Sequence, residues 1–528
     1  MSGKWIASYR LQLHAGFPLA EAEHVLPYLA DLGISHVYLS PCLQAVPGSQ
    51  HGYDVTDPTR ISEDLGGEPA WASFVDCARS HDLRILLDIV PNHMSASEHN
   101  PWWDHVLAHG PFSEFAEYFD FRVRPHQPFR VHVCSLARPY GDAIEAGELT
   151  IEIAHGRPRV RHYENTWPLG PASWGKLLSA APTPADAQCC FGELERLQFI
   201  DGPDTKDRIA YARHAAQAGE ALADARKRGR LQDAVDRTRG DKELVNAVLQ
   251  RQFYVLHGWK LAGELGNYRR FFDIGTLSGI RMELPEVFAA THARIEAMIV
   301  RDEIAGLRVD HPDGLREPLE YFKRLRALLP KGRIYVEKIL ENDERLKDDW
   351  PIDGSVGYEF LAKVNRLWMD DTRTDVLTST YSDFTGHSVN FAALVREKKR
   401  AIVESTFCAD HEQLTEAALE IAHERPRVRH YENTWPLGPA SWGKLLSAAP
   451  TPAADAECCF GELERLQFIG EPDAKQRIAY ARYAAQAGEA LADARKRGRL
   501  QDAVDRTRGD KELVNAVLQR QFYVLHGW

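Results

Sequence analysis

No stretch of the 528-residue chain approaches the ~20 consecutive apolar residues that a membrane-spanning helix needs. The amino terminus, MSGKWIASYRLQLHAGF, mixes polar and charged side chains where a secretory leader would carry an apolar core, so a cytoplasmic location is expected. Cysteine is scarce. There are eight, two pairs of them vicinal (Cys189 with Cys190, Cys458 with Cys459), and none stands in a CxxC spacing, which argues against a disulfide framework or a zinc site. Reduced thiols are expected, with no metal or cofactor. Basic residues are also in deficit: 64 Lys and Arg against 76 Asp and Glu give a net charge of -12, the wrong sign for nucleic acid or an anionic membrane as partner. The local basic run ARKRGR (225–230) reads as a solvated helix face.

What is present is a β/α rhythm. SYRLQL is followed by a helical stretch (18–32), then SHVYLSP, a second helical stretch (68–80), and LRILLDIVPNH, whose nearly continuous apolar run reads as a buried strand carrying Asp88. A parallel barrel and a doubly wound sheet both fit this α/β pattern. The loop AVPGSQHGYDVTDP (45–58) gathers His51, Tyr53 and Asp54 among glycine and proline breakers. An aromatic beside polar groups suits a sugar ring, although a loop packing Tyr53 on the body would read the same way.

The rhythm then lapses for roughly 150 residues, to about Trp259. That segment contains an expected hairpin (ELTIEIA, turn at His155-Gly156, PRVRHYENTW) and Ala-, Arg-, Glu- and Leu-rich helices, most of it scaffold. NYRRFFD (267–273) follows. The strand GLRVD then presents Arg308 and Asp310 on one face before breaking into the loop HPDGL, which places a guanidinium beside a carboxylate at a strand end. Alone, that pair could be only a structural ion pair. A helix near 318–329, RIYVEKI with Glu337, and GSVGYEF (354–360) continue the pattern, so six barrel strands can be counted of the eight a closed barrel uses.

Strands seven and eight are not found after Arg400; a copy stands there instead. Residues 420–528 repeat 152–259 with one inserted alanine and a few substitutions, such as Gly156 to Glu424 and His214 to Tyr483. The flanks differ, ELTIEIA reading as strand and EQLTEAALEIA as helix, and a recombination or assembly junction at the shared EIAH accounts for the arrangement. The expected organisation is therefore 1–105 for barrel strands one to three, 106–260 for an inserted, mainly helical subdomain, 261–400 for strands four to six, 401–419 as a connection, and 420–528 as the copy.

DIVPNH (88–93), GLRVDH (306–311) and VEKIL (336–340) resemble the first three motifs of the alpha-amylase superfamily of retaining glycoside hydrolases. SYRLQL, HGYDVTDP, NYRRFFD and HPDGL are more specific, and with them the chain, from about 8 to about 422, resembles the maltooligosyl trehalose synthases. The resemblance implies a (β/α)8 barrel of TIM type and a glucan mutase. Such an enzyme converts the reducing-end α-1,4 linkage of a maltooligosaccharide to α,α-1,1 by double displacement. It implies Asp310 as nucleophile, Glu337 as general acid/base and Arg308 as the group keeping Asp310 charged. His93, His311 and His51 would bind sugar hydroxyls, Asp88 would be a structural carboxylate, and Tyr53 would stack on glucose. A trehalose-releasing hydrolase would be a pathway partner. Two departures stand out: the family's third catalytic carboxylate has no counterpart after Arg400, and Gly275 replaces a usually polar side chain. A non-catalytic glucan-binding protein and a related α-glucan hydrolase or transferase are the alternatives.

Overall fold

A computed structural model describes residues 4–123, 128–179, 185–200, 202–341, 344–411, 414, 427–430 and 433–436. The chain divides into two units, Met1–Ala409 and Asp410–Trp528. In the first, six parallel strands pair in chain order: strand one (Ser8–Leu11), two (His36–Leu39), three (Arg84–Ile89), four (Gly306–Val309), five (Arg333–Val336) and six (Gly354–Ser355). They are the six strands expected. Because sequential strands are spatial neighbours throughout, with no reversal of order, the sheet is of the barrel kind and the doubly wound option falls away.

Side chains alternate across this sheet as the two-residue strand period requires. Val37, Leu39, Ile85, Leu87, Ile89, Leu307, Val309, Ile334 and Val336 share the large buried cluster with Trp71, Phe74 and Val75 of helix Gly67–Ser80 and Tyr321, Phe322 and Leu325 of helix Pro318–Leu328. Each such side chain contributes about 2 kcal/mol by leaving water. The alternate positions, Arg10, Tyr38, Asp88, Arg308 and Tyr335, form the other face, where Arg10 faces Tyr38 in register and Arg308 faces both Asp88 and Tyr335. Polar groups are thereby collected on one side of an otherwise apolar frame.

Two local readings change. The helix expected over 18–32 is two pieces, Leu19–Glu23 and Leu26–Asp31, because Pro27 lacks an N–H and is tolerated only in a first turn. The loop expected over 45–58 contains most of a strand, Val55–Ile61, paired antiparallel with Leu43–Ala45; Pro58 inside it masks the strand in the sequence.

Between strands three and four the expected hairpin forms, Thr150–Ala154 with Arg157–His162, and is extended by Asn165–Pro168. Five helices follow, Pro171–Leu178, Ala185–Leu197, Thr205–Lys227, Arg230–Thr238 and Lys242–Leu249, then a strand Tyr254–Gly258 that pairs in parallel with Val131–Leu136. After strand six come helices Tyr358–Arg366, Thr374–Thr385 and Phe391–Ser405, none of which buries a residue; Trp368 is 86% and Phe384 91% exposed. No described helix is long and apolar enough to cross a membrane.

In the second unit, Arg427–His430 pairs antiparallel with Asn433–Pro436 in the register that Arg157–His162 and Asn165–Pro168 adopt in the first. The helix expected over EQLTEAALEIA and nearly all of the copy lie outside the described residues.

Candidate active site

Asp88 belongs to strand three, Arg308 to strand four, and Asp310 and Glu337 leave the carboxyl-terminal ends of strands four and five. Their backbones continue the ladder, Asp310 N–H donating to Ile89 O and Glu337 N–H to Val309 O, both at 2.9 Å, so the carboxylates sit on one rim. Arg308 ties them together. Its Nη1 donates to Asp88 Oδ1 and to Asp310 Oδ1, each at 2.8 Å, and its Nη2 lies 3.0 Å from Glu337 Oε1. Asp88, Arg308 and Asp310 are buried.

Three carboxylates around one guanidinium, out of water, cannot all be comfortably ionised. Burial raises Asp310 to about 8, with Arg308 opposing and the neighbouring Asp88 and Glu337 charges adding to the rise. Glu337 goes the other way: burial pushes it up, but Arg308, Asp310, the His311 N–H and Tyr358 together pull it below its usual range. Asp310 Oδ2 is buried with no hydrogen-bond partner in the protein. Burial of a nearly inaccessible carboxylate thus opposes the pull of a guanidinium divided among three partners.

Asp88 is pushed up by burial, against Arg308 and two tyrosines, Tyr53 Oη at 2.7 Å and Tyr38 Oη at 2.8 Å, both donating to its Oδ2. Tyr53 thus meets the carboxylate cluster through its hydroxyl, while Arg308 lies 5.9 Å from its ring centre. Arg10 Nη2 donates to Tyr53 Oη at 3.2 Å, and Gln12 Nε2 to Gln50 O at 2.8 Å, pinning the 45–58 segment over strand one.

His93 is fully buried, lowered to about 3 by burial and then by His311, and its ring lies 4.1 Å from Phe271. His311 stands 5.1 Å from the same Phe271 ring and 5.2 Å from Phe272, with a left-handed backbone (φ 41°) that turns its N–H toward Glu337 Oε2 at 3.3 Å. The loop closes through Gly314, where a Cβ would run into Asn92. Arg269 locks that corner by donating to Asn92 Oδ1 at 2.6 Å and Asp120 Oδ2 at 2.9 Å. His51 does not join the cluster. It is half exposed, accepts the Tyr53 N–H at 3.0 Å, and lies 3.8 Å from Asp54.

Seven of the eight expected residues are thus drawn onto one rim. Tyr38, Arg10, Asn92, Arg269 and Tyr358 were missed; Arg10 and Tyr38 occupy the same alternate face as Arg308, a signal available from strand periodicity once the register is known.

Residues 22–134 match the alpha amylase catalytic-domain model. Over 390 residues, 71% of this chain and 40% of the relative, the chain is 33% identical to a Mycobacterium tuberculosis H37Rv protein provisionally named a maltooligosyl trehalose synthase. The maltooligosyltrehalose synthase structure from Arthrobacter ramosus superposes with a TM-score of 0.60 at 27% identity, over 97% of this chain and 54% of that one. A further maltooligosyl trehalose synthase crystal structure gives 0.59 at 29% identity, over 78% and 45%. The chain spans about half the length of the relatives it matches, and those likenesses imply the (β/α)8 barrel to which its six-stranded sheet corresponds.

Proposed function

From this homology to maltooligosyl trehalose synthases of the alpha-amylase family, we propose that the rim around Arg308 is the catalytic half-site of an intramolecular glucosyl transfer on maltooligosaccharides. Asp310 attacks the anomeric carbon of the reducing-end α-1,4 linkage while Glu337 protonates the departing oxygen. The released glucose turns in place, and its anomeric hydroxyl attacks the glycosyl-enzyme as Glu337 takes the proton back, closing an α,α-1,1 bond. Asp88 anchors Arg308. His93 and His311 hold sugar hydroxyls, His51 meets the substrate from the edge of the site, and Tyr53 offers its ring to the glucose beside Asp88. The reaction needs Asp310 ionised and Glu337 protonated, and the positive charge developing at the sugar favours the Asp310 anion. A trehalose-releasing hydrolase would consume the product.

The observation carrying this reading is the single guanidinium bonded to three carboxylates at the ends of neighbouring strands. In the same reading the segment between strands three and four is a subdomain inserted into the barrel, and strands seven and eight, with the family's third catalytic carboxylate, have no counterpart among the described residues. Loss of such a carboxylate costs on the order of 10³-fold in rate, because it stabilises the oxocarbenium-like transition state of each displacement. Incubation with maltopentaose, followed by chromatography for a non-reducing product and mass spectrometry of the intact protein, tests this. Trehalose-ended product or a glycosyl adduct on Asp310 supports the reading. Saturable binding with neither would favour a glucan-binding protein.

A further inference from the structure

Glu337 has a partner that the transfer reaction leaves unexplained. Strand six is only two residues long, and Val356 N–H extends its pairing by donating to Val336 O at 3.0 Å. Gly357 then turns at φ 90°, a left-handed conformation that other residues hold only under strain. Its N–H donates to Ser355 Oγ at 3.2 Å, and that hydroxyl donates to Glu359 at 2.5 Å. This tight turn starts helix Tyr358–Arg366 so that its first side chain points back at the rim, where Tyr358 Oη donates to Glu337 Oε1 at 3.2 Å.

We propose that Tyr358 is a positioning residue for Glu337, holding the carboxylate form that must accept a proton in the second half of the double displacement. The inference rests on the glucosyl-transfer reading for its chemistry, but its geometry stands apart from it. Glu337 is gripped from the strands on either side of its own: by Tyr358 after strand six and Arg308 of strand four on one oxygen, and by the His311 N–H after strand four on the other. All three are donors, so all three favour the anion. Arg308 is shared with Asp88 and Asp310, and the His311 N–H is fixed in the backbone. Tyr358 is the member of the set that can swing away, since it is partly exposed at 37% and begins a helix that buries nothing. Burial and the Glu337 charge both raise the phenol, so it remains a donor across the physiological range. A phenol that leaves when Glu337 must be an acid and returns when it must be a base would set which half-reaction is slow.

The test compares wild type with Tyr358→Phe in the full chain, with Gly357→Ala as a second route to the same displacement and melting curves to exclude misfolding. Infrared difference titration, with the Glu337 band assigned by Glu337→Gln, should give a Glu337 midpoint raised by about one pH unit in Tyr358→Phe. An unchanged midpoint overturns the proposal whether or not the protein turns over. With α-maltosyl fluoride, whose leaving group needs no protonation, formation of the glycosyl-enzyme should be preserved in Tyr358→Phe. Its breakdown should slow by roughly tenfold at acidic pH, where the raised midpoint leaves Glu337 protonated, and match wild type at neutral pH. Equal loss in both steps would mark Tyr358 as merely structural. Absence of any glycosyl-enzyme in wild type would count against the transfer reading alone, leaving the titration to decide the role of Tyr358.

Discussion

Arg308 and Asp88 face each other in register across strands four and three, and Nη1 of the first lies 2.8 Å from Oδ1 of the second. Lysine cannot reproduce this, because a single ammonium cannot reach Asp88, Asp310 and Glu337 through two nitrogens in a plane. Arg308→Lys should therefore leave buried carboxylates underpaired and cost on the order of 3 kcal/mol. Urea denaturation measures it; a midpoint equal to that of wild type would contradict the shared role of Arg308.

Asp310→Asn should abolish glycosyl-enzyme formation, and it should also stabilise the fold at alkaline pH. The Asp310 carboxyl gives up its proton at about 8 in the folded chain, against 3.8 ordinarily, so the folded state binds more protons than the unfolded state throughout that window. Stability attributable to this group is full below the ordinary value and falls as pH rises toward 8. Asparagine, which never ionises, escapes the loss. Melting temperatures should favour the variant by a few degrees at pH 8 and converge near pH 4; a constant gap would show that Asp310 does not carry the proton.

Glu337→Gln removes the acid and keeps the nucleophile. Maltooligosaccharide should then be left uncleaved, while α-maltosyl fluoride still glycosylates Asp310 at a rate within roughly tenfold of wild type. Comparable loss with both substrates, read by intact mass, would take the acid role away from Glu337.

Phe360, Phe384 and Phe391, on helices that bury nothing, and Leu367 and Trp368 just past the first of them, are exposed, and so large an apolar area in water drives association. The chain should self-associate at micromolar concentration in sedimentation velocity. The double substitution Trp368→Glu and Phe384→Asp should shift it toward the monomer, and an unshifted distribution would place the sticky surface elsewhere.

Strands two, three and five were legible because helical periodicity precedes each of their apolar runs. Asp88, Arg308, Asp310 and Glu337 could be nominated because a charge at the end of an apolar run is conspicuous. Tyr38 and Tyr358 were not legible. Nothing in SHVYLSP says that Tyr38 will reach Asp88 one strand away, nor in GSVGYEF that Gly357 will turn Tyr358 back on Glu337; both depend on register and on a single left-handed residue. The upward push that burial gives the Asp310 carboxyl escaped too, since adjacency to Arg308 can be read in a sequence and the depth of burial cannot.

The paired segments at 159–168 and 427–436 carry the same residues and the same cross-strand partners, although the sequence before 152 differs from that before 420. Their register is thus written locally, in a few alternating residues and one turn, and it travels with them. During refolding the chain therefore presents two interchangeable nuclei, each able to zip with its own return strand or with the other's. Productive folding becomes a kinetic race in which the shorter loop closure wins, and dilution cannot remove the competitor, because it is tethered to the same backbone.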